Sequence, residues 1–207
     1  MAILNNVSFL FSCLAFVTGL YCIKALNRIY LTVFILASVS IFVEILSFVL
    51  GYYQIENLSL LFFFTIVEYL LWTVFFMLIF NNSVANVIII VASILFLGSA
   101  ILDYIFYEFK AMNNYSLSTE CIILVGYSFF LFFKVMKNSL TDNLLREPYF
   151  WFNCGVLIYF SGNILLFLLG KFLNNEQTWF IWAPIHNILN IIYNSLIAIG
   201  FWKTRNR

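Results

Sequence analysis

Seven apolar stretches, at residues 5–23, 29–50, 58–80, 84–105, 115–136, 149–169 and 178–202, take up nearly the whole chain. At 1.5 Å per helical residue each is long enough to cross the roughly 30 Å hydrocarbon layer of a bilayer. No water reaches a backbone N–H or C=O in that layer, so a spanning segment is either a helix that bonds itself or a strand in a closed barrel. Continuous apolar runs of about 20 residues, without two-residue alternation, belong to helices. The expected fold class is therefore an all-α membrane protein, one transmembrane domain over residues 1–207 with seven helices. Composition agrees: 9% of residues are charged, against about 25% in a soluble domain. The connections are short, which makes sequential helices antiparallel neighbours in one bundle. No cation precedes Lys24, so the first stretch is expected to stay as a spanning helix and not to be a cleaved leader.

The cations set the expected orientation. With alternating helices, Lys24, Arg28, Lys134, Lys137, Arg146, Lys203, Arg205 and Arg207 fall on one side, against Lys110 and Lys171 on the other. The positive-inside rule then puts the N-terminus outside and the C-terminus in the cytoplasm. Lys134, at a helix end, is expected to snorkel to the interface. The 137–148 connection and the C-terminal tail would be the surfaces offered to a cytosolic signalling partner. A homo-oligomer stays an open alternative, and the net charge of +1 makes no case for nucleic acid.

Polar residues inside the apolar segments point to function. Around Pro184, in the last segment, His186, Asn187, Asn190, Tyr193 and Asn194 fall within an arc of about 120° on a helix. Pro184 has no N–H, leaves a carbonyl unpaired one turn back and is expected to kink the helix. Glu44 shares a face with Ser40 and Ser47. Glu68 shares one with Thr65 and Trp72, and Glu120 one with Ser116 and Tyr127. Asn163 lies one turn from Tyr159. Counted from the outer ends of their helices, Glu44, Glu68, Asn163 and His186 lie at roughly 9 to 15 Å depth, with Glu120 nearer the outer end. A carboxylate at that depth costs a few kcal/mol even on insertion scales and marks a functional use. The expectation is one polar chamber in the outer half, lined by Glu44, Glu68, Trp72, Glu120, Asn163, His186, Asn187, Asn190 and Tyr193.

Several chemistries find no support. The four cysteines, Cys13, Cys22, Cys121 and Cys154, have no CxxC spacing and read as small buried hydrophobes. One histidine is too few for a multi-histidine metal site, and the last helix has no mid-membrane lysine for a retinal Schiff base. No phosphate loop, GxSxG or HExxH occurs. No metal, cofactor or catalytic residue is therefore expected.

A shift of 119 residues lays Val43-Glu-Ile-Leu-Ser-Phe-Val-Leu-Gly51 on Gly162-Asn-Ile-Leu-Leu-Phe-Leu-Leu-Gly170, with Ile, Leu, Phe, Leu and Gly identical. The same shift puts Tyr30 on Tyr149 and Glu68 on Asn187. It implies a parallel repeat, helices 1–3 reappearing as 5–7 with helix 4 as linker.

At Phe150-Trp-Phe-Asn-Cys-Gly-Val-Leu-Ile-Tyr-Phe-Ser-Gly-Asn163, His186-Asn-Ile-Leu-Asn-Ile-Ile-Tyr-Asn194 and Ala198-Ile-Gly-Phe-Trp-Lys203, the chain resembles small, uncharacterised seven-helix membrane proteins of bacteria, some of them encoded near sensor kinases. The resemblance implies a bacterial inner (cytoplasmic) membrane location and carries no activity. The three-plus-one-plus-three layout is similar to that of sugar-efflux (SWEET-type) and vitamin-uptake transporters, although the paired Pro-Gln motif of the former is missing here. The leading functional expectation is a receptor-like module for a small polar or cationic ligand. A small-solute transporter is the rival, and an intramembrane lipid-modifying enzyme with Glu68 and His186 as acid and base is a third.

Overall fold

The computed structural model describes residues 2–107, 114–138, 144–170 and 175–205, with the side chains of residues 2, 107, 114, 138 and 167–181 outside that description. The helices are α1 (Ala2–Tyr21), α2 (Arg28–Tyr52), α3 (Leu58–Phe80), α4 (Ser83–Tyr107), α5 (Asn114–Asn138), α6 (Pro148–Gly170) and α7 (Asn175–Arg205). Among the described residues all seven are long and apolar enough to cross a membrane, and none of those residues forms a strand. The protein is a multi-pass bundle whose surroundings are a lipid bilayer. Lys110, Lys171, Arg207 and the middle of the 137–148 connection lie outside the described residues.

Local chemistry fixes several helix ends. The Oδ1 of Asn27 accepts the Tyr30 N–H at 3.0 Å and caps α2. Pro148 opens α6, where its missing N–H has no partner to lose. Asn81 closes α3 in the left-handed region, with φ 42°. Lys134 reaches the end of α3, where its Nζ donates to the Phe80 carbonyl at 2.9 Å. The last carbonyls of α3 lack intrahelical donors, and an ammonium one helix away supplies them.

α1 packs on α2 and α7, α2 on α3, α3 on α5, α5 on α6, and α6 on α7, which closes a ring. α4 lies against α3 and α5 from outside it, and Val87, Ile88, Ile94 and Leu95 on its outer face are each more than half exposed, as lipid-facing side chains are. Both closures of the ring, α1 with α7 and α3 with α5, bring parallel helices together.

The two ends of the bundle differ. Toward the end holding Arg205, Phe75, Phe76, Phe152 and Phe201 are fully buried. Phe152 meets Phe201 edge-on at 5.2 Å and Phe75 at 6.2 Å, which fills the ring with aromatic side chains. Gly200 makes room for this cluster, since a Cβ there would fall 2.6 Å from the Phe152 Cδ1. Toward the end holding Asn5 the ring is not filled, and the polar residues gather there.

Candidate functional site

The polar face of α7 meets a polar face of α1. Asn187 Nδ2 donates to Asn5 Oδ1 at 2.6 Å, Asn190 Nδ2 to Ser8 Oγ at 2.8 Å and Asn194 Nδ2 to Ser12 Oγ at 3.1 Å. All three pairs are 182 residues apart in sequence, as two parallel helices in fixed register require. Positions i, i+3 and i+7 on each helix share a face, so the amides and hydroxyls form a ladder of three rungs. The ladder continues sideways: Asn194 Nδ2 also donates to Asn190 Oδ1 at 2.9 Å, and Ser12 Oγ donates to Glu44 Oε1 at 2.9 Å. The carboxyl group of α2 is thus tied through α1 to α7.

A cavity of about 710 Å³ lies beside the ladder, walled by α1, α2, α3, α6 and α7. Asn5, Asn6 and Asn57 stand at its rim, and Ser12, Glu68 and Asn194 at its depth. Ten residues of α3 separate Leu58 from Glu68, so the cavity reaches about 15 Å inward, half the hydrocarbon thickness. Ser40, Glu44, Ser47, His186, Asn187 and Asn190 line it, and among the described residues no lysine or arginine does. The Oε2 of Glu44 and the Oγ of Ser47 are buried without a hydrogen-bond partner.

A smaller cavity of about 150 Å³ adjoins the first, sharing Leu61, Phe64, Glu68, Tyr159 and His186 with it. Glu120, Asn163, Thr65 and Cys121 are among the other residues of its wall. Asn163 donates its Nδ2 to the Tyr159 carbonyl at 2.9 Å, which turns Oδ1 toward His186 Nδ1 at 3.0 Å. An amide oxygen only accepts, so Nδ1 carries the proton and, in the neutral ring, Nε2 is left as an acceptor. Trp182 stacks on the His186 ring at 4.6 Å and holds it in place. Glu120 is 1% exposed, and its Oε1 has no hydrogen-bond partner.

The expected single chamber is therefore two cavities that meet at Glu68 and His186. Glu44, Asn187 and Asn190 line the large one, Glu120 and Asn163 the small one. Trp72 and Tyr193 line neither. They pack edge-on at 6.4 Å, with Tyr193 also 4.8 Å from Tyr159, and they make the aromatic floor. Their rings fill the space into which their helix faces point.

No protein-family model, curated protein or solved structure matches the chain. The chemistry of the two cavities carries the functional argument alone.

Two features were overlooked in the sequence. The α1 face Asn5, Ser8, Ser12 repeats at the same i, i+3, i+7 spacing as Asn187, Asn190, Asn194 and was readable from it. Asp103, 1% exposed, accepts the Ser116 N–H at 2.6 Å, the Ser116 hydroxyl at 2.5 Å and the Tyr115 N–H at 3.1 Å. It caps α5, and it ties up the Ser116 hydroxyl that the sequence groups with Glu120.

Among the described residues no cluster of three histidine, cysteine or carboxylate side chains suited to a metal ion occurs. What the arrangement offers around the cavities is carboxyl oxygens, serine hydroxyls, asparagine amides and an imidazole nitrogen.

Proposed function

We propose that this protein is a receptor-like membrane module whose large cavity binds a small polar or cationic ligand. The observation that carries this is a wall with two carboxyl groups, Glu44 and Glu68, and, among the described residues, no lysine or arginine, around about 710 Å³ of space. That volume lies within the roughly 300–1,000 Å³ of small-molecule sites. Carboxyl groups at mid-membrane depth are costly unless something offsets their charge, and a cation from outside does so. On the positive-inside count the rim at Asn5 faces the exterior of a bacterial inner membrane, and Lys203 and Arg205 face the cytoplasm.

α7 is the transmitting element. It carries His186, Asn187, Asn190 and Asn194 on the cavity, and Pro184 removes one of its backbone bonds above them. A ligand held between Glu44 and Asn190 competes with the α1–α7 ladder and shifts α7 against α1. A cytosolic signalling protein reads that shift at the C-terminal tail and the 137–148 connection. The filled aromatic half around Phe152 favours this over passage of a solute.

The second reading, a small-solute transporter of three-plus-one-plus-three layout, draws on α4 lying outside a ring closed by parallel helices. It requires the cluster of Phe75, Phe152 and Phe201 to part. Thermal unfolding of the purified protein with a panel of organic cations, zwitterions and anions tests the leading reading. Cations are expected to raise the melting temperature of the wild type and not of the Glu44→Gln/Glu68→Gln variant. Equal stabilisation by anions overturns it, and uptake of the stabilising cation into proteoliposomes favours the transporter.

A further inference from the structure

Within the two cavities, buried acceptors without partners stand in two separate places. In the large cavity they are Glu44 Oε2 and Ser47 Oγ; in the small one it is Glu120 Oε1, on a side chain 1% exposed. Glu68 lines both cavities. Between these places the shared wall carries Leu61, Phe64 and Tyr159 beside Glu68 and His186. Buried carboxyl oxygens without partners are expensive to leave unmatched, and the groups that match them are N–H donors carrying positive charge. A wall whose carboxyl groups are separated by apolar and aromatic side chains is complementary to a molecule whose ammonium groups are separated by methylenes. The aromatic faces of Phe64 and Tyr159 suit methylenes that adjoin a cation.

We infer that the ligand is a linear aliphatic diamine or longer polyamine, one ammonium group held at Glu44 in the large cavity and the other between Glu68 and Glu120 in the small one. This rests on the cationic-ligand reading and narrows it. Three carboxyl groups spread over two adjoining cavities exceed the need of a single monovalent cation. Asn163 and His186 shape the small cavity: His186 Nδ1 is committed to Asn163, and Nε2 remains as one more acceptor.

The test uses the full-length protein in lipid nanodiscs and titration calorimetry with 1,4-diaminobutane, 1,5-diaminopentane and 1,6-diaminohexane, each against the monoamine of equal carbon number. A second charge-assisted contact is expected to make the diamine at least about tenfold tighter than its monoamine. Glu120→Gln is expected to narrow that difference between diamine and monoamine. Equal affinities of diamine and monoamine in the wild type overturn the diamine assignment while the cationic-ligand reading stands. If no amine binds at all, both fall. Should the Glu120→Gln protein fail to fold, the wild-type comparison of diamine with monoamine decides alone.

Discussion

Replacing Gly200 by alanine tests the packing that closes the half of the ring holding Arg205. The added methyl meets the Phe152 ring within 2.6 Å at Cδ1 and closer still at Cε1. That ring has no free direction, since Phe201, Tyr30 and Phe75 surround it at 5.2, 5.7 and 6.2 Å. Overpacking of this kind costs about 1–3 kcal/mol. Alanine's helix preference over glycine returns about 1 kcal/mol, so a net loss of up to about 2 kcal/mol is expected. Gly126 is the control, because a Cβ there meets nothing within 4 Å; its alanine variant is expected to be neutral or stabilised by up to about 1 kcal/mol. Gly162 falls between the two, since its neighbour, the Leu189 side-chain end at 2.6 Å, is able to swing away. Reversible unfolding of the purified protein in mixed micelles, followed by circular dichroism against denaturing detergent, gives the three differences. A Gly200→Ala protein as stable as the Gly126→Ala protein refutes the close approach of α6 and α7 at Phe152.

Glu68→Gln is expected to keep the folded yield, because the amide still hydrogen bonds, whereas Glu68→Lys brings a charged group to mid-bilayer depth and is expected to lower it several-fold; size-exclusion profiles of the two variants decide. Asp103→Ala removes the cap of α5 and is expected to cost about 1–2 kcal/mol in the same unfolding assay, and no loss means that α5 starts without it. The internal repeat predicts that α1–α3 superpose on α5–α7 with Glu44 over Asn163 and Glu68 over Asn187. An optimal geometric register other than 119 turns the matched side chains by about 100° per residue and reduces the sequence match to coincidence.

How much of this was legible follows from what each signal encodes. Apolar length determines where a helix crosses a bilayer, and six of the seven stretches lie wholly inside their helices. The first is cut short, α1 ending at Tyr21 before a turn of 3-10 helix at Ile23–Ala25. At the other end of the chain α7 starts at Asn175, before the apolar run, because backbone hydrogen bonding continues through Asn, Glu and Gln once a helix is under way. The face of a side chain was legible too, which is why Glu44, Glu68, His186 and Asn190 reach the same cavity. Neighbours were not. The direction of Tyr193 on α7 does not reveal that Trp72 fills the space before it, and the partner of Asp103 lies 13 residues on, across a chain reversal. The constant 182-residue offset of the ladder needs α1 and α7 to be adjacent, and only the closed ring makes them so.

The claim on which the rest depends is that a polar cavity opens at the Asn5 end and stops at an aromatic floor. Single cysteines at Ser8, Ser47 and Asn190, and at Phe76 and Phe201 below the floor, in a protein whose four native cysteines are replaced, expose that claim to a membrane-impermeant thiol reagent added to one side of sealed vesicles at a time. The first three are expected to react from the exterior side only, and the last two from neither side. Reaction of Ser8→Cys and Asn190→Cys from the cytoplasmic side alone, or reaction of Phe76→Cys and Phe201→Cys along with them, contradicts the account.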